Sequence, residues 1–345
     1  MQIIKPDVNI DFVGRRKIAF GASLIMILLS IASLILHGGP KYGIDFAGGA
    51  EVLAAFDKPV TSEQIKAALT AMGFERPTVQ EYGKEKGNTF RLLLSGPKAE
   101  SADLTAKLKK GLADNTGAQV LDDSFSFEMV GPQVGRDLRE KALMAMFFAL
   151  LGITVYISWR FEMKWLVSGG MAAALIFAVY ALKVIGLGIA ALILAAGVVT
   201  LVLFWVLNLK YAMGAIVALV HDVTITVGLF SMFDREFTLP IIAALLTIIG
   251  YSLNDTIIVF DRIRENMRKH HRQPLATTIN RSINETLSRT LLTSGTTLMV
   301  VVILFIFGGG IIHDFAFALL SGIIVGTYSS VFVASPILLA WQRKG

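Results

Sequence analysis

Residues 250–266 read GYSLNDTIIVFDRIREN. The stretch begins inside a long apolar run and ends in a cluster of charges. Asp255 lies before the apolar run is over, among Leu253, Ile257 and Ile258. A carboxylate inside an apolar span is expensive, and such groups mark function by default. Asp255, Val259 and Arg262 share one helical face at i, i+4 and i+7. The stretch therefore reads as one end of a membrane helix, and the rest of the chain has to be consistent with that.

The composition agrees. The chain has 345 residues, of which 54% are hydrophobic and only 17% charged, with a mean hydropathy of +0.64. A soluble domain of this length is seldom so apolar, so a polytopic α-helical membrane protein is the expected class. Cysteine is absent, which excludes disulfides, thiolate metal sites and a cysteine nucleophile.

A membrane helix needs about 20 mostly apolar residues. Windows at 18–37, 141–159, 165–186, 187–207, 211–233, 238–260, 289–309 and 314–339 meet that length. They predict about eight spans, the third and fourth forming a tight hairpin around Lys183 to Gly188. Lys and Arg set the orientation. Arg15, Arg16 and Lys17 precede the first span. Arg160 and Lys164 follow the second, and Lys210 follows the fourth. Arg262, Arg264, Arg268, Lys269, Arg272 and Arg281 follow the sixth, and Arg343 and Lys344 end the chain. All fall on one side, the cytoplasmic one, so both termini are expected inside. The net charge of +6 is then topological and gives no reason to expect nucleic acid. An uncleaved anchor is favoured over a signal peptide for the first span, because no small-residue cleavage site precedes HGGPKYGIDF.

The expected organisation is a cytoplasmic segment 1–17, a first span 18–37, an outside domain 38–140 and a second span 141–159. An inserted hairpin 160–210, two spans in 211–260, a basic loop 261–288, two spans in 289–339 and a tail 340–345 complete it. Within the outside domain GAEVLAAFD alternates like a strand. TSEQIKAALTAMGF is a helix with Thr61 or Ser62 as N-cap and Gly73 as stop. PTVQEYG and NTFRLLLSG read as strands, SADLTAKLKKGLADNTG as a helix capped by Ser101, and AQVLDDSFSFEMVG as a last strand. The order βαββαβ predicts a small α+β ferredoxin-like sandwich. That fold implies no chemistry, and no nucleophile or paired-carboxylate constellation lies in it.

No G-x-x-x-x-G-K-[ST] and no H-E-x-x-H occurs, so neither a P-loop ATPase nor a zinc peptidase is indicated, and no cofactor or metal is expected. His37, His221, His270, His271 and His313 are scattered; His270 and His271 read as part of a solvated basic loop. Work by this chain would need a partner or an ion gradient.

Attention therefore falls on polar groups inside the spans. Asp255 lies about 17 residues into its span, roughly 25 Å deep in a core of about 30 Å. Desolvation favours the neutral acid and a nearby cation favours the carboxylate, so a group held between the two can take up and release a proton. The alternative is a packing aspartate. Asn254 and Ser252 are polar neighbours. His221 and Asp222 lie deeper, with Thr224 and Thr226 following, and fit a buried hydrogen-bonded pair as well as a relay. Asp261 and Arg262 fit a charge cluster at the end of the span as well as a functional face. Arg289 opens the seventh span above Thr293, Thr296 and Thr297. It is either the i, i+4 partner of Glu285 or a cation that pairs with Asp255 in one state. Asp314, after His313, reads as an interfacial cap. Gly322 and Gly326 form G-x-x-x-G, a weak signal for close helix packing.

Several segments, in order, resemble the SecF proteins of the SecD/SecF family: DFVGRRKIAF (11–20), YGIDFAGG (42–49), MVGPQVGRDL (129–138), GAIVALVHDVTITVG (214–228), GYSLNDTIIVFDRIREN (250–266), SINETLSRTLLTS (282–294) and HDFAFALLSGIIVGTYSSVFVASPI (313–337). The resemblance covers nearly the whole chain. It implies a subunit of the bacterial inner membrane, of resistance-nodulation-division architecture, paired with SecD. The pair would assist the SecYEG channel late in preprotein export, driven by the proton-motive force, with a YidC-type insertase as a further neighbour. The aspartate of SLNDT and the arginine of LSRT, here Asp255 and Arg289, belong to the family's proton pathway at the SecD–SecF interface.

One departure stands out. Family members have six spans, but here WRFEMKW (159–165) is followed by about 46 extra residues before KYAMGAIVALVHD resumes at Lys210. W-x-x-x-x-K-[WY] occurs at Trp159 and again at Trp205, as a local duplication would leave it. The insert is expected at the periphery, away from Asp255. Two competing functions remain at this stage: a proton-driven exporter of lipids or small molecules, which the small outside domain argues against, and a non-energetic translocase scaffold.

Overall fold

The computed structural model describes residues 8–74, 77–82, 88–94, 104–122, 125–162, 165–184 and 189–342. The first apolar window forms α1 (Arg16–Leu36), and a short helix α2 (Ile44–Ala47) leads into the polar domain. There β1 (Gly49–Ala55), α3 (Ser62–Ala71), β2 (Thr78–Glu81), β3 (Thr89–Leu94), α4 (Leu104–Thr116) and β4 (Ser126–Val130) follow in turn. The four-stranded antiparallel sheet has the order β2-β3-β1-β4.

Strand alternation sorts its faces. Ala50, Val52, Ala54, Phe90, Leu92 and Leu94 meet Ile65 and Leu69 of α3 and Leu104, Leu108 and Leu112 of α4. On the opposite face Arg91 donates to Glu51 at 2.5 and 2.7 Å. The α3 cap is Thr61 rather than Ser62. Gln64 N–H donates to Thr61 Oγ1 at 3.3 Å and Thr61 N–H to Gln64 Oε1 at 2.9 Å, a reciprocal capping box. Gly73 ends the helix at φ +84°, in the left-handed region that glycine tolerates. Ser101 lies outside the described residues. Among the described residues of AQVLDDSFSFEMVG the strand is Ser126–Val130, and Val120 makes an isolated bridge to Phe56.

The remaining helices are α5 (Pro132–Glu162), α6 (Trp165–Val184), α7 (Ile189–Val206), α8 (Lys210–Met232), α9 (Leu239–Lys269), α10 (Leu275–Phe307), α11 (Gly310–Ser329) and α12 (Ser335–Gln342), with a π turn, Ser330–Ala334, joining the last two. Pro336 has no N–H, so the ordinary α ladder cannot run through it. Six helical segments among the described residues are long and apolar enough to cross a membrane: α1, α5, α8, α9, α10 and the run from α11 to α12. This differs from the eight windows of the sequence. In α6 and α7 the qualifying apolar stretches are Gly169–Ala178 and Ala195–Val206, which are shorter.

The basic segment 261–288 is mostly helix, not loop, because it is amphipathic. Ile263, Asn266, Ile279, Ser282 and Ile283 are buried, while Glu265 pairs along the helix with Arg262 and Lys269, both at 2.6 Å. Only residues 270–274 connect α9 to α10. The segment before α1 is tied to α10: Asn280 Oδ1 accepts Phe12 N–H at 2.8 Å and Asn284 Oδ1 accepts Ile10 N–H at 2.9 Å.

Small residues set the helix crossings. A Cβ at Gly322 would lie 2.4 Å from Ile248, one at Gly326 2.9 Å from Ser252, and one at Gly228 2.1 Å from Ser30. Gly322→Ala and Gly228→Ala should each destabilise the protein by about 1–3 kcal/mol through overpacking. Gly250→Ala, where a Cβ meets nothing within 4 Å, should be neutral or mildly stabilising. Thermal unfolding in detergent checks the contrast; equal midpoints for Gly228→Ala and Gly250→Ala would refute it.

Candidate functional site

Asp255 is buried on α9, 1% exposed. Ser294 of α10 donates to its Oδ2 at 3.3 Å, and Ser294 Oγ lies 2.8 Å from Thr327 Oγ1 of α11. Three helices thus meet at the carboxylate, and hydroxyls line it. One turn earlier on α9, Ser252 points to a second carboxylate. Asp222 of α8 is fully buried and accepts from Ser252 Oγ at 2.5 Å and Ser329 Oγ at 2.8 Å, with His221 Nδ1 2.9 Å away. His221 Nε2 lies 3.1 Å from Ser23 Oγ. Ser23 meets the Tyr328 hydroxyl, which donates to the Ala19 carbonyl at 2.7 Å. The Asp222 network therefore links α1, α8, α9 and α11.

Arg289 lies on the exposed side of α10. The hydrogen-bond partner of Asp255 is Ser294, and no ion pair with Arg289 is present among the described residues. The ordinary alternative for Arg289 is not realised either. Glu285 accepts instead from Arg262 at 2.6 Å and from Asn266 at 2.7 Å. Asn254, grouped with Asp255 by adjacency, is on the exposed face of α9 and leaves the cluster, because consecutive helical residues do not face the same way. Asp261 and Arg262 also serve elsewhere. Asp261 accepts from Arg160 of α5 at 2.8 Å, and Arg262 joins α9 to α10 through Glu285. Asp314 pairs with Arg235, and His313 Nδ1 lies 3.0 Å from the same guanidinium. His270 faces Arg281 and His271 the Met267 carbonyl. No cluster able to hold a metal occurs among the described residues.

The inserted helices α6 and α7 pack on each other, on α5 and on α8. Trp205 meets Trp341 edge to face, with ring centroids 4.9 Å apart, and among the described residues neither helix supplies one to the Asp255 cluster.

Sequence reading missed the hydroxyls Ser23, Ser294, Thr327, Ser329 and Tyr328. Isolated hydroxyls in apolar helices commonly bond their own backbone, so they carry no distinguishing signal until the helices pack. It also missed the seam between the polar domain and the α8–α9 connection. There a cleft of about 710 Å³ is lined by Arg91, Arg235, Glu236, His313 and Asp314, among others. Glu236 is 7% exposed, and its Oε2 has no hydrogen-bond partner among the described residues. Burial pushes its carboxyl above the usual range, against Lys41 and Arg91, which pull it down. A raised acid destabilises the fold as pH rises through its folded value. Glu236→Gln should therefore remove that loss. Its thermal midpoint should change less than that of the unmodified protein between pH 5 and 8, and parallel pH profiles would contradict this.

The geometry defines a multi-pass membrane protein with carboxylates buried between helices and a small α+β domain inserted after the first one. Residues 112–187 and 175–344 match the family model "Protein export membrane protein SecD/SecF, C-terminal", and residues 33–60 match the SecD/SecF GG motif. The two C-terminal segments meet at the inserted hairpin. Protein translocase subunit SecF of Desulfurispirillum indicum is 40% identical over 339 residues, covering 97% of this chain and 92% of the relative. That of Magnetococcus marinus is 41% identical over 343 residues, covering 98% and 94%. The crystal structure of SecDF from Thermus thermophilus, titled a translocon-associated membrane protein, superposes with a TM-score of 0.76 at 31% identity. It matches 99% of this chain, which spans 40% of that one. The chain belongs to the SecF branch of the SecD/SecF protein-export family.

The GG motif has a physical reading here. Gly48 and Gly49 adopt φ +76° and +133°. A Cβ on Gly48 would lie 2.8 Å from Pro132, at the start of α5.

Proposed function

We propose that the chain pairs with a SecD-type subunit in a bacterial inner membrane, and that the pair uses the proton-motive force to assist late preprotein translocation through SecYEG. A YidC-type insertase is a further neighbour in this reading. Both termini face the cytoplasm, the α+β domain is periplasmic and ferredoxin-like, and α6 and α7 complete eight spans. The order β2-β3-β1-β4 supports the ferredoxin-like assignment.

The observation that carries the proposal is Asp255: a carboxylate buried where three helices meet, which accepts from Ser294 and, among the described residues, has no ion pair with Arg289. Protonation removes a buried charge and with it the pull on Arg289, so the preferred packing of α9 against α10 and α11 differs between the two protonation states. A gradient can drive such a pair of states only if they differ in proton affinity. The exposed Arg289 and Asn254 support a partner on that face, since polar groups at membrane depth turn from lipid. The test is preprotein release from vesicles holding the chain and its SecD-type partner, with and without a proton gradient, comparing the unmodified protein with Asp255→Asn.

A further inference from the structure

We infer that the seam between residues 41–45 and 236–239 transmits motion of α9 to the outer domain, with Asp45 as its positioning residue. The inference rests on the reading of Asp255 as the proton-coupling group.

Helix α9 carries Asp255, and its first residues are held by the outer domain. Thr238 is the N-cap by position, but its side chain makes no capping bond. Asp45 of α2 takes that role, its Oδ2 accepting Leu239 N–H at 2.8 Å. A carboxylate there also suits the positive end of the helix dipole. Backbone bonds flank the cap: Gly43 N–H donates to the Phe237 carbonyl at 2.8 Å and Phe237 N–H to the Lys41 carbonyl at 2.7 Å. Lys41 Nζ adds a pair to Asp234 at 2.9 Å.

Behind Asp45 there is no slack. Helix α2 ends at Ala47 and β1 begins at Gly49, in the interior of the sheet. A Cβ on Gly135 of α5 would lie 3.0 Å from Gly48 N, so α2 is also wedged on α5. From Leu239 to Asp255 α9 is one unbroken helix, a rod of about 24 Å at 1.5 Å per residue. A tilt of α9 around Asp255 is therefore delivered to the sheet through Asp45 and the paired backbone.

The chain has no cysteine, so a tether can be introduced cleanly. A Cβ on Gly43 would lie 2.7 Å from Thr238 Cγ2, near the separation of about 3 Å between one Cβ and the opposite sulfur in a disulfide. The full chain with its SecD-type partner is reconstituted in vesicles, and gradient-stimulated preprotein release is measured. Asp45→Ala should lower it roughly fivefold, the ratio that one lost N-cap moves. Asp45→Asn should stay close to the unmodified protein, because asparagine caps equally well. Oxidised Gly43→Cys/Thr238→Cys should restore release in the Asp45→Ala background, and reduction should remove the rescue. Normal release by Asp45→Ala overturns the inference. So does a formed tether that rescues nothing, or one that stops release in the otherwise unmodified chain. Asp255→Asn measured alongside separates the two readings. If it keeps gradient dependence, the proton-coupling role falls. If it loses gradient dependence while Asp45→Ala works normally, only the seam falls.

Discussion

Asp255→Asn should leave the protein folded and assembled with its partner while gradient-stimulated release drops to the level seen without a gradient. The amide is nearly isosteric and its oxygen can still accept from Ser294, so the packing of α9, α10 and α11 is kept. What disappears is the group that can hold a proton. Moving one charge through 100 mV is worth about 2.3 kcal/mol, which biases a two-state equilibrium about fiftyfold at room temperature. That bias is the effect to be lost, and basal release should be unchanged. Asp255→Glu keeps an ionisable carboxyl and should retain part of the stimulation. If Asp255→Asn responds normally to the gradient, the carboxylate is a packing group and the chain acts as a scaffold or takes its protons elsewhere.

How much of this was legible in the sequence depends on the range of the signal. Asp255 stood out because one residue contradicts its neighbours: a charge in an apolar run is visible without knowing any fold. The strands of the outer domain were visible for a similar reason, since period-two alternation in GAEVLAA is local. Helix ends were less legible. The stretch 261–288 reads as a loop when charge is counted, and as helix only when its charges are placed at i, i+3 and i+4. Contacts between helices were hidden. Glu285 has Arg289 four residues away, yet it bonds Arg262 on another helix, because tertiary approach of α9 and α10 offers a guanidinium at better geometry. The Asp45 cap was equally invisible. Its partner lies 194 residues away, and a capping aspartate has a signature only when it precedes its own helix.

The other large effect is expected at Asp222, and it is one of stability. Asp222→Ala would leave His221 Nδ1 and the Ser252 hydroxyl without their acceptor in a site closed to water, while Ser329 keeps the Gly326 carbonyl. Breaking a buried pair by deleting one member costs about 3–5 kcal/mol, so the thermal midpoint in detergent should fall steeply. Asp222→Asn keeps the shape and one acceptor oxygen, and should fall less. The contrast with Asp255 is what separates the two carboxylates. Three side chains address Asp222, two of them aimed at one oxygen, and the chain of contacts runs on through Ser23 to α1. Asp222 is thus held by three partners, whereas among the described residues Asp255 accepts from one hydroxyl, at 3.3 Å. Asp222→Asn should therefore retain gradient-stimulated release at temperatures where it stays folded. Loss of stimulation at an unchanged midpoint would give Asp222 a place in proton movement and make the two clusters, one turn apart on α9, parts of a single path.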